Sequence, residues 1–341
     1  MHDSEKNRIL LLTFAWILNV IFMWLSLFLL VAGLALLVKG GDWLVTGSSS
    51  LARKYGISEL VIGLTVVAFG TSAPELVVSV MAALNGHSEI ALGNVIGSNN
   101  FNLFVILGLT AVVKPLQVQV GVIRREIPLS LFAALLLLVL ANEFWRGGDG
   151  LMVGRADGLV LLLCFGFFLY YIYRSMQAPG VEVEEGAVAT KKPLVAALLI
   201  VGGLAGLIIG GRWVVNSAVD LARMFAVSEK VIGLTIVAMG TSLPELVTSL
   251  VALRKGSADM AIGNVVGSNI FNIFFILGVG ASIQAMPYTS AFNLDLGLLL
   301  GGTVLLLLAM FTGKRRVLDR WEGLLFLLLY AGYMVYVGLR N

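Results

Sequence analysis

The chain has 341 residues, of which 59% are hydrophobic and only 13% charged; its mean hydropathy is +0.96 and its formal net charge +3. Apolar stretches of about 18 residues or more recur from end to end, as helices crossing a bilayer require. The small positive excess sits in short loops and is not a nucleic-acid footprint; one cysteine, Cys164, leaves no internal disulfide or cysteine metal cluster, and two histidines, His2 and His87, are too few for a zinc hydrolase.

In chain order the hydropathy predicts an all-α polytopic membrane protein with about ten transmembrane helices, at 24–48, 58–84, 88–112, 121–141, 152–173, 193–220, 228–253, 258–283, 292–311 and 321–338. Before the first span, Ile9 to Val38 runs for 30 residues without a charge. This reads as a long tilted first helix; the alternative is a short N-terminal extension, 1–22, of signal-like character. Residues 1–174 form a first five-helix repeat and 193–341 a second. Between them 175–192 (SMQAPGVEVEEGAVATKK) is polar and reads as a linker. Counting Lys and Arg in alternate loops gives seven on one side and fourteen on the other. The richer side, which includes the linker, is expected to be cytoplasmic and both termini outside.

The two halves carry the same message. Residues 57–108 and 227–278 align without a gap at an offset of 170, with 32 of 52 positions identical. GLTVVAFGTSAPELVVS (Gly63 to Ser79) returns as GLTIVAMGTSLPELVTS (Gly233 to Ser249), and GNVIGSNNFN (Gly93 to Asn102) as GNVVGSNIFN (Gly263 to Asn272). Five spans, an odd number, separate equivalent helices, so the repeats must face opposite ways across the membrane, and a binding site is expected where they meet.

Each copy sets one carboxylate, Glu75 or Glu245, in an otherwise uncharged apolar segment. Ala68, Thr71, Ser72 and Glu75 share a helix face at spacings of three and four. Pro74 lacks an N–H and clashes with the carbonyl of Gly70, which should loosen backbone carbonyls near Thr71. Ala238, Thr241, Ser242, Pro244 and Glu245 repeat the pattern. In the next helix Asn94, Ser98 and Asn102 recur every four residues, mirrored by Asn264, Ser268 and Asn272. Gly93, Gly97, Gly263 and Gly267 read as small residues for close helix packing. Lys39, Asp42 and Arg212, the last matching Asp42, read as snorkelling or loop charges near helix ends. The spans 121–141, 152–173, 292–311 and 321–338 read as scaffold.

Every strong acceptor in this inventory is oxygen. That suits hard cations, Ca²⁺ or Na⁺, rather than zinc or copper, while Mg²⁺ sheds its water too reluctantly. A lone intramembrane Glu can be a structural hydrogen-bonding group, but its duplication within an identical GTSxPE context, with four Asn alongside, points to a site.

GTSxPE followed by GNxxGSNxFN, present twice, resembles the calcium/cation antiporter superfamily, and in particular its prokaryotic sodium/calcium exchanger branch, over nearly the whole chain. The resemblance implies two inverted five-helix halves and secondary active exchange of Na⁺ for Ca²⁺ in the plasma (inner) membrane. It implies no cofactor and no obligate protein partner beyond the transported ions and the bilayer. It implies Glu75 and Glu245 as Ca²⁺ ligands, with the carbonyls of Thr71 and Thr241. Ser72, Ser98, Ser242 and Ser268, with the carbonyls of Ala68 and Ala238, would serve Na⁺ sites, and Asn102 and Asn272 would complete the cluster. Some members, the potassium-dependent branch among them, carry Asp where this chain has Asn272, which argues against potassium co-transport here. The long cytoplasmic regulatory loop of animal exchangers has no counterpart in the chain.

The alternatives are a proton-coupled calcium exchanger, in which the glutamates carry protons instead of Na⁺, and a cation channel with a carboxylate filter. An intramembrane hydrolase is weakest, because neither Ser72 nor Ser242 has a nearby His or Lys base in the sequence.

Overall fold

The structure is a computed structural model that describes residues 2–142, 151–176, 191–225, 238–313 and 315–340, with only the backbone path for 2–19, 238 and 340. Helix α1 is continuous from His2 to Tyr55. Arg53 and Lys54 in its last turn complement the negative end of the helix dipole. The expectation of a first span ending at 48 therefore stops short. Asp42 lies well inside the helix rather than near its end.

The second span is broken. Helix α2, Glu59–Thr71, and helix α3, Ala73–Leu84, meet at 49°. Helix α4, Ser88–Val113, follows after a short turn and packs against α3. A π-helical turn, Val122–Glu126, leads into α5, Ile127–Asn142, and α6 is Arg155–Met176. The second repeat supplies α7 (Pro193–Met224), the short α8 (Ala238–Gly240), α9 (Leu243–Arg254), α10 (Ala258–Ile283), α11 (Phe292–Ala309) and α12 (Arg320–Arg340). Among the described residues seven helices are long and apolar enough to cross a bilayer, or eight where the bent pair α2–α3 counts as one broken span. The span expected at 121–141 is shorter in straight α-helix because its first turn is π-helical. The start of the one expected at 228–253, and most of the linker expected at 175–192, lie outside the described residues.

The repeats run in opposite senses. Gly33, Gly40 and Gly47 of α1 meet Gly210, Gly203 and Ala196 of α7, so the numbers rise along one helix as they fall along the other. The contact is backbone on backbone: a β-carbon at Gly40 would stand 2.8 Å from the amide nitrogen of Leu207. Helix α2 runs parallel to α10 of the other repeat, and Gly263 and Gly267 make that approach possible. A β-carbon at Gly263 would lie 2.7 Å from the carbonyl of Leu60. The residues that would meet Gly93 and Gly97 in the mirrored contact lie outside the described residues.

Short antiparallel ladders tie the ends of the repeats together: β1 (Leu116–Gln117) pairs with β4 (Val317–Leu318), and β2 (Met152–Val153) with β3 (Met286–Pro287). Helices α4 and α10 are buried at the centre, while α1, α6 and α12 turn most of their surface outward, as a bundle in lipid requires. The outer helices hold buried carboxylates of local use. Asp157 accepts from the Gly154 N–H, Glu322 from the Asp319 N–H and the Thr312 hydroxyl, and Glu126 from the Tyr171 hydroxyl.

Candidate cation site

Each broken helix delivers one carboxylate to the centre. Pro74 has no N–H to offer the carbonyl of Gly70, so α2 ends at Thr71. Ser72 turns the chain with φ −80° and ψ 8°, and α3 departs with Glu75 in its first turn. There the positive end of a helix favours a negative side chain. Ser242, with φ −89° and ψ 7°, does the same between α8 and α9, and Glu245 takes the matching place.

Both glutamates are fully buried, and each is held from the other repeat. Ser72 Oγ donates to Glu245 Oε1 at 2.8 Å, and Ser242 Oγ to Glu75 Oε1 at 3.0 Å. A second ring fixes the broken helices. Asn94 Nδ2 donates to Ser79 Oγ at 2.9 Å and to the carbonyl of Glu75 at 3.4 Å. Asn264 Nδ2 donates to Ser249 Oγ at 3.0 Å and to the carbonyl of Glu245 at 3.2 Å. Thr71 Oγ1 donates to Asn264 Oδ1 at 3.1 Å, and Thr241 Oγ1 to Asn94 Oδ1 at 3.3 Å.

A third layer joins α4 and α10. Asn99 Nδ2 donates to the carbonyl of Asn269 at 3.1 Å, and Asn269 Nδ2 to the carbonyl of Asn99 at 3.3 Å. Asn102 Nδ2 donates to Asn269 Oδ1 at 3.1 Å and Asn272 Nδ2 to Asn99 Oδ1 at 3.0 Å. Asn102 and Asn272 sit in π-helical turns, Phe101–Ile106 and Asn272–Leu277. Such turns replace the regular i−4 pairing and recur at functional sites.

Several acceptors are left over. Glu75 Oε2, Glu245 Oε2, Asn102 Oδ1, Asn272 Oδ1 and Ser98 Oγ are buried without a hydrogen-bond partner. Each such group costs about 1–3 kcal/mol, and a charged one more. Among the described residues no Lys, Arg or His pairs with either glutamate. Nor do they contain a group of three or more His, Cys, Asp and Glu that could hold a metal. The donor set is two carboxylates and neutral oxygens, which fits a hard, exchangeable cation better than a soft one.

The expected residues do not all stand alike. Ser268 Oγ hydrogen-bonds to Ser72 Oγ at 3.0 Å, whereas its counterpart Ser98 Oγ has no partner. The carbonyl of Ala68 already accepts from the Ser72 N–H at 3.0 Å. Ala238 opens α8, and its side chain is outside the described residues. The sequence reading does not single out Asn99, Asn269, Ser79 and Ser249. Their signal is nonetheless present, since all four stand inside the duplicated motifs.

The fold is that of a polytopic membrane protein built from two inverted repeats, with a buried cluster of carboxylate, amide and hydroxyl groups where they meet. The family of sodium/calcium exchanger proteins matches the chain twice, over residues 25–174 and 195–339. The chain is 40% identical over 317 residues to the putative antiporter CaxA of Alkalimonas amylolytica, covering 90% of this chain and 97% of that one. It is 41% identical over 269 residues to the inner membrane protein YrbG of Escherichia coli, covering 76% and 81%. A solved structure of the sodium-calcium exchanger NCX_Mj, soaked with 10 mM Na⁺ and zero Ca²⁺, matches with a TM-score of 0.79 at 34% identity, over 92% of this chain and 99% of that chain. The chain belongs to the sodium/calcium exchanger family. It is a multi-pass integral membrane protein and a cation antiporter of that kind, not an enzyme.

Proposed function

We propose that the chain exchanges Na⁺ for Ca²⁺ across the plasma (inner) membrane by alternating access, at a central site built on Glu75 and Glu245. The observation that carries this reading is the pair of fully buried carboxylates, each hydrogen-bonded by the other repeat's serine and each keeping one oxygen unpartnered. Two such charges repel in a low dielectric, and a divalent cation cancels both. Several Na⁺ ions do the same across a wider set of oxygens, so the two occupancies exclude each other.

In this assignment Ca²⁺ takes the carboxylates of Glu75 and Glu245 and the carbonyls of Thr71 and Thr241. Na⁺ takes the hydroxyls of Ser72, Ser98, Ser242 and Ser268 with the carbonyls of Ala68 and Ala238. Asn102 and Asn272 close the cluster with neutral oxygens. Ser72 and Ser242 turn from donating to a glutamate to offering a lone pair to an ion, a rearrangement their free rotation permits. The helix breaks at Pro74 and Pro244 free the carbonyls nearby.

The lysine and arginine count puts residues 175–192 in the cytoplasm and both termini outside. The inner-membrane placement of the Escherichia coli relative supports the same compartment.

The test is flux in reconstituted vesicles. Na⁺-loaded vesicles diluted into Na⁺-free buffer should take up Ca²⁺, and a proton ionophore should leave the rate unchanged. Uptake that instead needs a proton gradient would move the assignment to the proton-coupled alternative, and uptake without any counter-ion gradient to a channel.

A further inference from the structure

The two sides of the cluster differ although the repeats are alike. On one side a cavity of about 230 Å³ lies between α3, α7 and α9, reaching Pro74, Thr241 and Pro244 beside the glutamates, with Arg212 and Asn216 on its wall. On the other side α1 is packed along α9, whereas the mirrored pair, α7 and α3, hardly touch. Gly41 and Gly211 occupy equivalent positions and record the difference. A β-carbon at Gly41 would stand 3.2 Å from Val247 Cγ1. One at Gly211 would meet nothing nearer than Leu37 Cδ2 at 3.9 Å.

The side on which α1 meets α9 carries an ion pair that has no counterpart at the mirrored positions among the described residues. Lys255, the residue that caps the C-terminus of α9, reaches α1 and sets its Nζ 2.7 Å from Asp42 Oδ1. The same Nζ donates to the carbonyl of Asp42 at 3.0 Å and to the Thr46 hydroxyl, which itself donates to that carbonyl at 2.6 Å. The Lys255 side chain is only 21% exposed. At the mirrored positions the sequence has Arg212 for Asp42 and Asn85 for Lys255. A cation and a neutral amide at these positions cannot repeat the pair, so the asymmetry is written into the chain.

We propose that Asp42 and Lys255 are positioning residues for transport: their ion pair latches α1 onto α9 and holds shut the route on that side while the route past Arg212 is open. A charged pair of this kind, its lysine sheltered, weighs the equilibrium between the two access states. It touches neither ion nor carboxylate. Because its mirror is missing, the resting protein is biased toward the state seen here.

The test reads helix position in the full-length protein. In a Cys164→Ser background, two single-cysteine variants are made: Val78→Cys, in the wall of the open cavity, and Val247→Cys, where the side chain packs on Gly41. Labelling rates are measured with a charged methanethiosulfonate reagent. With the latch intact the thiol at position 78 should react fast and the thiol at position 247 slowly. Lys255→Met, and independently Asp42→Asn, should raise the rate at position 247 about tenfold and lower that at position 78, the size expected when a charged hydrogen bond is lost. Lys255→Arg should restore the original pattern. Unchanged rates in both latch variants would overturn the proposal. So would a rise at both positions together, which marks general loosening rather than a switch of side. The proposal rests on the alternating-access reading; labelling reports conformation and not flux, so its failure would leave the assignment of ions standing, and a failed flux assay would leave the labelling result interpretable.

Discussion

Ser72 of the first repeat donates to Glu245 of the second at 2.8 Å, so the carboxylate of one half is oriented by the other half's helix break. Its twin, Ser242 to Glu75 at 3.0 Å, makes the arrangement reciprocal. The two halves of the cation site are therefore not independent: moving either broken helix disturbs both carboxylates.

The first prediction follows from that reciprocity. Glu75→Gln and Glu245→Gln each keep an oxygen that can accept the serine hydroxyl but remove one negative charge. Each single variant should lose Ca²⁺ exchange by about a hundredfold or more, since half the charge that offsets dehydration of the cation is gone. The protein should elute normally in size-exclusion chromatography. Near wild-type exchange by either variant would dismiss the shared site.

Competition is the second expectation. In the proposed assignment Na⁺ and Ca²⁺ neutralise the same two carboxylates, so apparent Ca²⁺ affinity, measured by calorimetry in choline and then in Na⁺, should fall steadily as Na⁺ rises. Indifference to Na⁺ would count against exchange at one site.

The third concerns the joint between α4 and α10. Asn99 and Asn269 each donate to the other's backbone carbonyl and accept a further amide from Asn272 or Asn102. Alanine at either position leaves one buried side-chain amide, that of Asn272 or of Asn102, without its acceptor, at about 1–3 kcal/mol, and takes a side-chain donor away from the backbone carbonyl across the joint. Thermal unfolding in detergent should show a clear drop for Asn99→Ala and for Asn269→Ala. A smaller drop is expected for Ser98→Ala, because Ser98 Oγ has no partner to lose.

What the sequence can and cannot show has physical reasons. The carboxylates, their serines and the helix breaks are legible because they lie within one helix, where spacing of three and four defines a face and proline's effect is local. Duplication then points to the interface between halves. The Asn99–Asn269 joint is not legible in the same way. Its partners are backbone carbonyls on another helix, and neither residue falls on the four-residue stripe through Asn94, Ser98 and Asn102. The π-helical turns at Phe101–Ile106 and Asn272–Leu277 are also invisible, since an extra residue per turn leaves no mark in composition. Asp42 reads as a charge near a helix end because hydropathy falls there; the helix itself continues to Tyr55, and besides Lys39 on the same helix Asp42 has a nearer partner, Lys255, 213 residues further along the chain.

The last prediction concerns Asn272. Its amide nitrogen is engaged with Asn99 Oδ1 at 3.0 Å, and its oxygen is buried without a partner. Asp at this position would replace the amide donor by an acceptor facing Asn99 Oδ1, at some cost in stability, and would add a third carboxyl group to a cluster that already has two. Cations should be held more tightly in compensation. Asn272→Asp should therefore bind Ca²⁺ about tenfold more tightly, as one further charge-assisted contact warrants. It should release Ca²⁺ more slowly, so that the maximal exchange rate falls while the half-saturating concentration also falls. Exchange should be followed over a range of Ca²⁺ concentrations with and without K⁺ in the medium, because an added carboxylate is what a further monovalent counter-ion would need. A companion variant, Asn272→Ala, removes the donor without adding charge and separates the two effects: it should lower thermal stability to a similar degree yet leave Ca²⁺ no tighter. If Asn272→Asp left affinity, rate and K⁺ response unchanged, Asn272 would lie outside the cation cluster, and its place in the site would have to be withdrawn.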